Sequence, residues 1–343
     1  MRTNLISFEK SSSDRRIIMK SSPGKIALPA REKPNSEGLY EEVEYQEFWT
    51  GREKQSLNDL EHAIVRELLP RRGRRLLDLG SGYGRLADCY IDRFEEIVML
   101  DGSLTLLRSA QRAFGRKAIY VLGDIGRLPF GPAAFDAVVM IRVFQHLPAA
   151  RFCLEEVQKI SCGGGCLILS YSNKRNALRM AKFLTGSTPH NPFSLEQLAV
   201  EPNFIHHHPR FISRLLIEAG FKPSHYRGAG VFDKIAAFSP LAVNRIHCGT
   251  RLAPILGKSF MAPWIFCRGV SEKSQPLRAA KGLGDILICP VCLGGLVERT
   301  SGFACERCRR EYPERDGIID MRPGVASALK RSRLEQNVTG GQG

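Results

Sequence analysis

Apolar positions along this chain follow two rhythms, and the way the rhythms alternate predicts the fold. From Tyr40 to Leu69 the spacing is helical, with Leu57, Leu60, Ile64, Val65, Leu68 and Leu69 three and four apart, until Pro70 and the run RRGRR end it. Short continuous apolar runs then follow: RRLLDLG, EIVMLDGS, AIYVLGD, FDAVVMIRV and GGCLILSY. Between them lie segments of helical period. One runs through Leu86, Ala87, Tyr90, Ile91 and Phe94, one starts from Ser103 as N-cap and buries Leu104, Leu107 and Phe114, and one lies near Phe152 to Ile160. Strand-like runs without strict alternation, separated by helices, belong to a parallel sheet covered on both faces. The expected fold class is therefore α/β, doubly wound. Beyond Tyr171, SLEQLAVEPNFIHHHPRFISRLLIEAGF reads as helices interrupted by prolines and KPSHYRGAGVF as a sixth strand. A helix around Leu241 to Leu256 and a last strand in APWIFCRGV complete the pattern.

Composition divides the chain further. Residues 1–38 are rich in Ser, Lys, Arg and Pro without periodicity and read as a flexible basic arm. Residues 39–270 read as the main domain, with 170–230 as an insertion on its substrate side. SEKSQPLRAAKG, ending at residue 282, reads as a linker, 283–325 as a small cysteine-bearing domain and 326–343 as a loose tail. With 343 residues and 43% hydrophobic content the chain can bury a sizeable core. No run of apolar residues is long enough to span a bilayer and the opening MRTNLISFEK lacks a signal-peptide pattern, so a cytoplasmic location is expected. The net charge of +15 is concentrated: residues 171–282 hold 16 basic and 5 acidic side chains. Such asymmetry suits an anionic partner or simply a solvated face.

The chemistry begins at LLDLGSGYGRL, where Gly80, Gly82 and Gly84 turn the chain sharply out of the first strand. In an open α/β sheet, ligands bind beyond the carboxyl ends of the strands. The loop lacks the Lys of a phosphate-gripping P-loop, and its third interval is shorter than in a dinucleotide fingerprint. Asp78 ahead of the glycines would repel a pyrophosphate, yet suits a ligand carrying an ammonium and a sulfonium. Asp101 ends the second strand, placed to accept ribose hydroxyls, and Asp124 ends the third, placed to accept from an exocyclic adenine amine with Ile125 on the ring.

Together LLDLGSGYGRLAD, VMLDGS, VLGDIGRLPF, FDAVVMIRVFQHL and GGGCLILSY resemble the ordered motifs of class I S-adenosylmethionine-dependent methyltransferases. The resemblance covers about residues 40–270. It implies a seven-stranded Rossmann-like sheet whose last strand is antiparallel. It also implies S-adenosylmethionine contacts from Asp78, Gly80, Gly82, Asp101, Asp124 and Ile125, with Ser81, Gly84 and Gly102 on the same loops. The fourth strand ends in MIRVFQHL rather than the Asn-Pro-Pro-aromatic signature of amine and adenine methylases, which disfavours an exocyclic base amine as acceptor.

Methyl transfer from a sulfonium is an in-line displacement, so alignment and exclusion of water matter more than covalent help. His146 in FQHLP is the candidate base for a hydroxyl or enol acceptor, against the plainer reading that it packs the next helix. Arg142 either holds an anionic acceptor or pairs with a nearby carboxylate. The three histidines His206 to His208 cannot all point one way and read as pocket or surface rather than metal ligands. Lys174 and Arg175 in SNKRN are candidate acceptor contacts.

Of ten cysteines, six are scattered, while Cys289, Cys292, Cys305 and Cys308 form two C-x-x-C knuckles. Four thiolates on two tight turns suit one structural Zn2+. With the following YPERDGI, this segment resembles the small zinc-ribbon family of activating partners of eukaryotic methyltransferases that act on tRNA, rRNA and release factors. Here the ribbon is fused in cis, as a built-in stabiliser or a docking module for protein contacts. The expected function is a methyltransferase acting on O, C or N of a small molecule such as a quinone or lipid precursor. The alternatives are an RNA or translation-factor methyltransferase and a non-catalytic cofactor-binding scaffold.

Overall fold

In the computed structural model, which describes residues 49, 52–201, 204–230, 261–280 and 282–323, the sheet grows outward from β1 (Gly73–Leu79). On one side of it β2 (Phe94–Asp101) and then β3 (Ile119–Leu122) pair in parallel. On the other, β4 (Phe135–Met140) and β5 (Ser161–Ser172) continue in parallel. The hairpin-like pair β8 (Phe221–Ala229) and β9 (Trp264–Ser271) closes that edge, β9 lying antiparallel between β5 and β8. This is the Rossmann-like strand order, with the antiparallel strand, that the resemblance implies.

Alternate residues of each strand feed opposite faces. Leu77, Leu79, Val98, Leu100, Val121, Val138 and Met140 pack under α3 (Ala150–Ile160) and α5 (Pro209–Glu218). Leu76, Ile97, Met99, Tyr120 and Val139 pack under α1 (Arg52–Leu68) and α2 (Leu104–Phe114). Helix α1 is held by Leu57, Ile64, Val65 and Leu68, the helical stripe read from the sequence. Helix α2 is capped by Ser103, whose hydroxyl accepts from Leu106 N at 3.3 Å. No described helix is long and apolar enough to cross a membrane.

Four expectations need correction or lie out of reach. The helix expected through Leu86 to Phe94 is only a 3₁₀ turn, Ala87–Cys89, because the register Gly73↔Phe94 draws Phe94 into β2 and leaves room for little else. Within the stretch expected to be helical, β6 (Leu198–Glu201) pairs antiparallel with β7 (Phe204–His206), and the helix begins only at Pro209, with His208 as its cap. Third, the seven expected strands are present but do not end the sheet, which continues to eleven. The cysteine segment supplies β10 (Leu296–Arg299), β11 (Gly302–Cys305), β12 (Glu311–Arg315) and β13 (Ile318–Asp320), and β13 pairs in parallel with β3 through Ile318↔Tyr120, Ile319↔Val121 and Asp320↔Leu122. The ribbon therefore continues the main sheet. Fourth, the basic arm, the start of the first helix before Trp49, the helix around Leu241 to Leu256 and the tail lie outside the described residues.

Between β5 and α5 a short helix, α4 (Ala177–Leu184), emerges directly from the carboxyl end of the sheet, capped by Asn176, which accepts from Arg179 N at 3.0 Å.

Candidate functional site

The glycine loop is tied down by the end of β2. Gly80 N and Ser81 N donate to Leu100 O at 2.8 and 3.2 Å, and Gly82 N donates to the Asp101 carboxylate at 2.8 Å. The other Asp101 oxygen accepts from Ser103 N at 2.8 Å, so one side chain fixes both the loop and the start of α2. Gly80, Gly82 and Gly84 have φ of 75°, 55° and 79°, a region that side-chain-bearing residues rarely adopt. At Gly80 a Cβ would also come within 2.4 Å of Val143 Cγ2.

Two carboxyls meet here under strain. Asp78 is buried and accepts from the Tyr90 hydroxyl; burial pushes its pKa up from 3.8 to about 7, the tyrosine bond offsets part of this, and the charge of Asp101 adds to it. Asp101 is likewise raised, first by burial, against the lowering effect of its bonds from Ser103, Gly82 and Gly102. Beside them the Ser81 hydroxyl is buried with no hydrogen-bond partner in the protein. Two costly carboxyls and an orphaned hydroxyl at one glycine turn are the chemistry of a site for a ligand that is both cationic and rich in hydroxyls.

Asp124 is exposed just past β3, its carboxylate accepting from Gly126 N at 2.8 Å, while the half-buried Ile125 packs on the core. Gly123 N donates to Asp101 O at 3.0 Å, which holds this turn against the end of β2, where Gly102 also lies. The structure thus brings Asp78, the glycines, Asp101, Gly102, Asp124 and Ile125 to the carboxyl ends of three adjacent strands.

Arg142 follows β4 with φ of 64°, its N–H donating to Ser170 Oγ at 2.8 Å. Its guanidinium does not stand open for an anionic acceptor: Nε donates to Glu61 at 2.8 Å and the Cζ lies 3.4 Å over the Trp264 ring. Glu61 is fully buried and also accepts from Arg85 Nη2 at 2.6 Å, while Arg85 stacks 3.9 Å over Trp49. This carboxylate, clamped by two arginines, fastens α1 over the glycine loop and the end of β4. Nothing in the local sequence marks Glu61, Arg85 or Tyr90, because their partners are 24, 81 and 12 residues away.

His146 ends the 3₁₀ turn Phe144–His146 and meets Phe204 of β7 edge-on at 5.5 Å; Phe204 in turn meets Trp264 at 6.2 Å. The three histidines diverge. His206 contacts Ser172 Oγ at 2.6 Å and Arg179 at 2.8 Å, and burial drives its pKa down to about 4. His207 is buried beside Phe144 and stacked on Phe211, while His208 Nδ1 accepts from Arg210 N at 3.1 Å as the cap of α5. Lys174, expected as an acceptor contact, is buried, its amine donating to Ser194 Oγ and Glu196 O at 2.7 and 2.6 Å. It ties down the 185–200 segment instead.

The four ribbon thiols converge. Their sulfurs lie within 4.8 Å of one another, with Cys289 and Cys308 3.6 Å apart and Cys292 and Cys305 3.4 Å apart. None is in a disulfide. A tetrahedron of thiolates at zinc–sulfur distance has edges of about 3.8 Å. Each knuckle is followed by a residue in the left-handed region, Leu293 (φ 60°) and Arg309 (φ 56°), whose N–H closes back on Cys289 O and Cys305 O at 2.8 and 2.9 Å. The donor set and its turns fit one zinc ion.

Residues 77–169 match the methyltransferase domain family. Over 99 residues the chain is 31% identical to a demethylmenaquinone methyltransferase of Paenarthrobacter aurescens, covering 29% of this chain and 38% of that protein. Over 198 residues it is 26% identical to a probable S-adenosylmethionine-dependent methyltransferase of Mycobacterium tuberculosis, covering 57% of this chain and 63% of the relative. The chain thus spans less than two thirds of the length of either. Among solved structures it is similar, at TM-score 0.47 and 17% identity, to a chain of the complex between the Haloferax volcanii Trm112 methyltransferase activator and a methyltransferase, covering 66% of this chain and 97% of that one.

Proposed function

We propose that this chain, whose residues 77–169 match the methyltransferase domain family, binds S-adenosylmethionine at the glycine turn and moves its methyl group to an O, C or N nucleophile of a small, quinone-like or lipid-like acceptor. The reading is carried by the pair of raised carboxyls, Asp78 and Asp101, around a buried hydroxyl without a partner. Asp78 takes the ammonium end, Asp101 accepts the ribose hydroxyls through the second lone pairs of its oxygens, and Asp124 with Ile125 receives the adenine. When bound, the sulfonium supplies an electrophilic methyl. The protein's part is to hold the acceptor in line and keep water out, with His146 as the candidate to take a proton from a hydroxyl acceptor. Arg142, committed to Glu61, acts as a positioning residue that holds α1 across the site.

The match to a demethylmenaquinone methyltransferase supports a quinone-like acceptor. The RNA or translation-factor reading rests on the ribbon and the basic segment, and the burial of Lys174 removes one of its expected contacts. Cys289, Cys292, Cys305 and Cys308 would hold a zinc ion, closed by four thiolates and therefore structural.

Labelled methyl transfer from S-adenosylmethionine into a cell extract fractionated into small molecules, lipids, RNA and protein tests the proposal. Label is expected in the small-molecule or lipid fraction; binding of the cofactor without any transfer would make the chain a scaffold. Affinity should also depend on pH with a definite sign. Below about pH 7 the Asp78 carboxyl keeps its proton, and seating an ammonium must expel it, so affinity falls up to about tenfold per unit as the pH drops below 7 and is level above it. Titration calorimetry across this range checks it; the Asp78→Asn variant is expected to bind weakly with the slope abolished, and a level wild-type profile would remove Asp78 from the site.

A further inference from the structure

Helix α4 leaves two leucines in water and turns one of its two cations inward. Arg179 turns inward, its Nη2 2.8 Å from the His206 ring, while Leu178 and Leu184 are 54% and 75% exposed, and no residue of the helix is buried. The apolar surface continues beyond the helix. Phe183 meets the 45% exposed Phe193 edge-on at 6.1 Å, and Ala177 N donates at 2.9 Å to the carbonyl of the exposed Met261. With Val200 these make five of the nine large hydrophobics exposed among the described residues. A water-facing helix normally shows its cation and hides its leucines. Exposed leucines of this kind fit a surface whose far side is not water.

Charge identifies that surface. Within residues 173–200 the basic side chains are Lys174, Arg175, Arg179 and Lys182 against the single acid Glu196, and the whole of 171–282 is strongly basic. Leucines flanked by cations suit an apolar layer with an anionic skin. An RNA backbone would use the cations but leave Leu178, Leu184 and Val200 facing water, and two of the cations it would need, Lys174 and Arg179, are already engaged within the protein. The face also has a telling position, since α4 starts five residues beyond the last residue-pair of β5 with β9, Ser172↔Trp264, at the same end of the sheet as Asp78 and Asp101.

We propose that α4 and the 185–200 segment seat the protein on an anionic lipid surface, leucines inserted and Lys182 at the headgroups, so that an acceptor with an apolar tail reaches the crevice from the bilayer. The second half of this statement rests on the methyl-transfer reading; the seating does not. The test is sedimentation of the full chain with vesicles of phosphatidylcholine alone and of phosphatidylcholine with phosphatidylglycerol. The anionic vesicles are expected to retain it and added salt to weaken the retention. Leu178→Glu and Leu184→Glu should each lower partitioning about tenfold while leaving cofactor affinity unchanged. Phe193→Ser, in a loop where helix formation is not at stake, should act in the same direction. Failure of the wild type to sediment with anionic vesicles, sedimentation indifferent to these substitutions, or retention on single-stranded RNA in their place overturns the seating. Vesicle binding without cofactor binding upholds the seating and sinks the methyl-transfer reading, so the two fail separately.

Discussion

Asp101→Ala is expected to lower affinity for S-adenosylmethionine by about 100-fold or more while the chain stays folded. Two losses add. The carboxylate that would accept a pair of ribose hydroxyls disappears, and Gly82 N and Ser103 N lose the acceptor that ties the glycine turn to the start of α2. The fold tolerates the change because a carboxyl whose pKa burial has raised is itself a cost in the empty site. A contrasting carboxylate serves as the control. Asp136 accepts from Arg74 N and Arg75 N, both at 2.8 Å, near the start of β1 and so at the far end of the sheet from the glycine turn. Asp136→Ala should lower stability by about 1–3 kcal/mol and leave cofactor affinity intact. Calorimetric titration beside thermal melts separates the two, and an Asp101→Ala protein that binds like wild type would refute the assignment.

If the four ribbon thiolates hold the proposed zinc, its removal by chelation or by Cys305→Ser is expected to lower the melting temperature of the whole chain by about 10 °C or more and to weaken cofactor binding. Ribbon residues Ile286, Leu287, Phe303, Tyr312, Ile319 and Met321 are buried in the same cluster as Leu100, Val121 and Phe130 of the main domain. The ribbon also grips the Asp124 turn from both sides. Upstream, β13 pairs with β3 and Met321 N donates to Leu122 O at 2.8 Å; downstream, Gly131 N donates to Ile286 O and Ile288 N to Pro129 O at 2.8 and 2.9 Å. Unfolding the ribbon would leave β3 as an open sheet edge and release both ends of the turn that carries Asp124 and Ile125. Calorimetry with and without chelator checks this. A main-domain transition that holds its temperature, with cofactor affinity intact, would show that the ribbon is only an appendage.

The placement of the residues proposed for the cofactor was legible because they are local. Asp78, Gly80, Gly82, Asp101 and Asp124 each sit at the end of a strand whose apolar run is readable from neighbouring letters, and a parallel sheet brings such ends together by its nature. The acceptor side was not. Whether Arg142 held an anion or a carboxylate depended on Glu61, which the sequence marks only as one polar position among many in an amphipathic helix. Lys174 read as a basic loop residue and proved buried, because the segment that covers it returns from 20 residues further on. The 3₁₀ turn at Ala87–Cys89 failed for a similar reason: its helical period was real, but the register of β2 against β1 claimed Phe94.

The sequence by itself determined what short-range chemistry determines: the strand and helix periods, the left-handed glycine turn with its acidic neighbours, and two cysteine knuckles at metal spacing. Only the tertiary structure decided that the ribbon extends the main sheet through β13 and β3, that Glu61 clamps Arg85 and Arg142, and that α4 turns its leucines outward. The reason is one of distance along the chain. Propensity and spacing act over a few residues, whereas a sheet edge, a buried ion cluster and an exposed apolar face arise from which remote segment arrives to pair with them, and the free energy that chooses that segment is spread over the whole core.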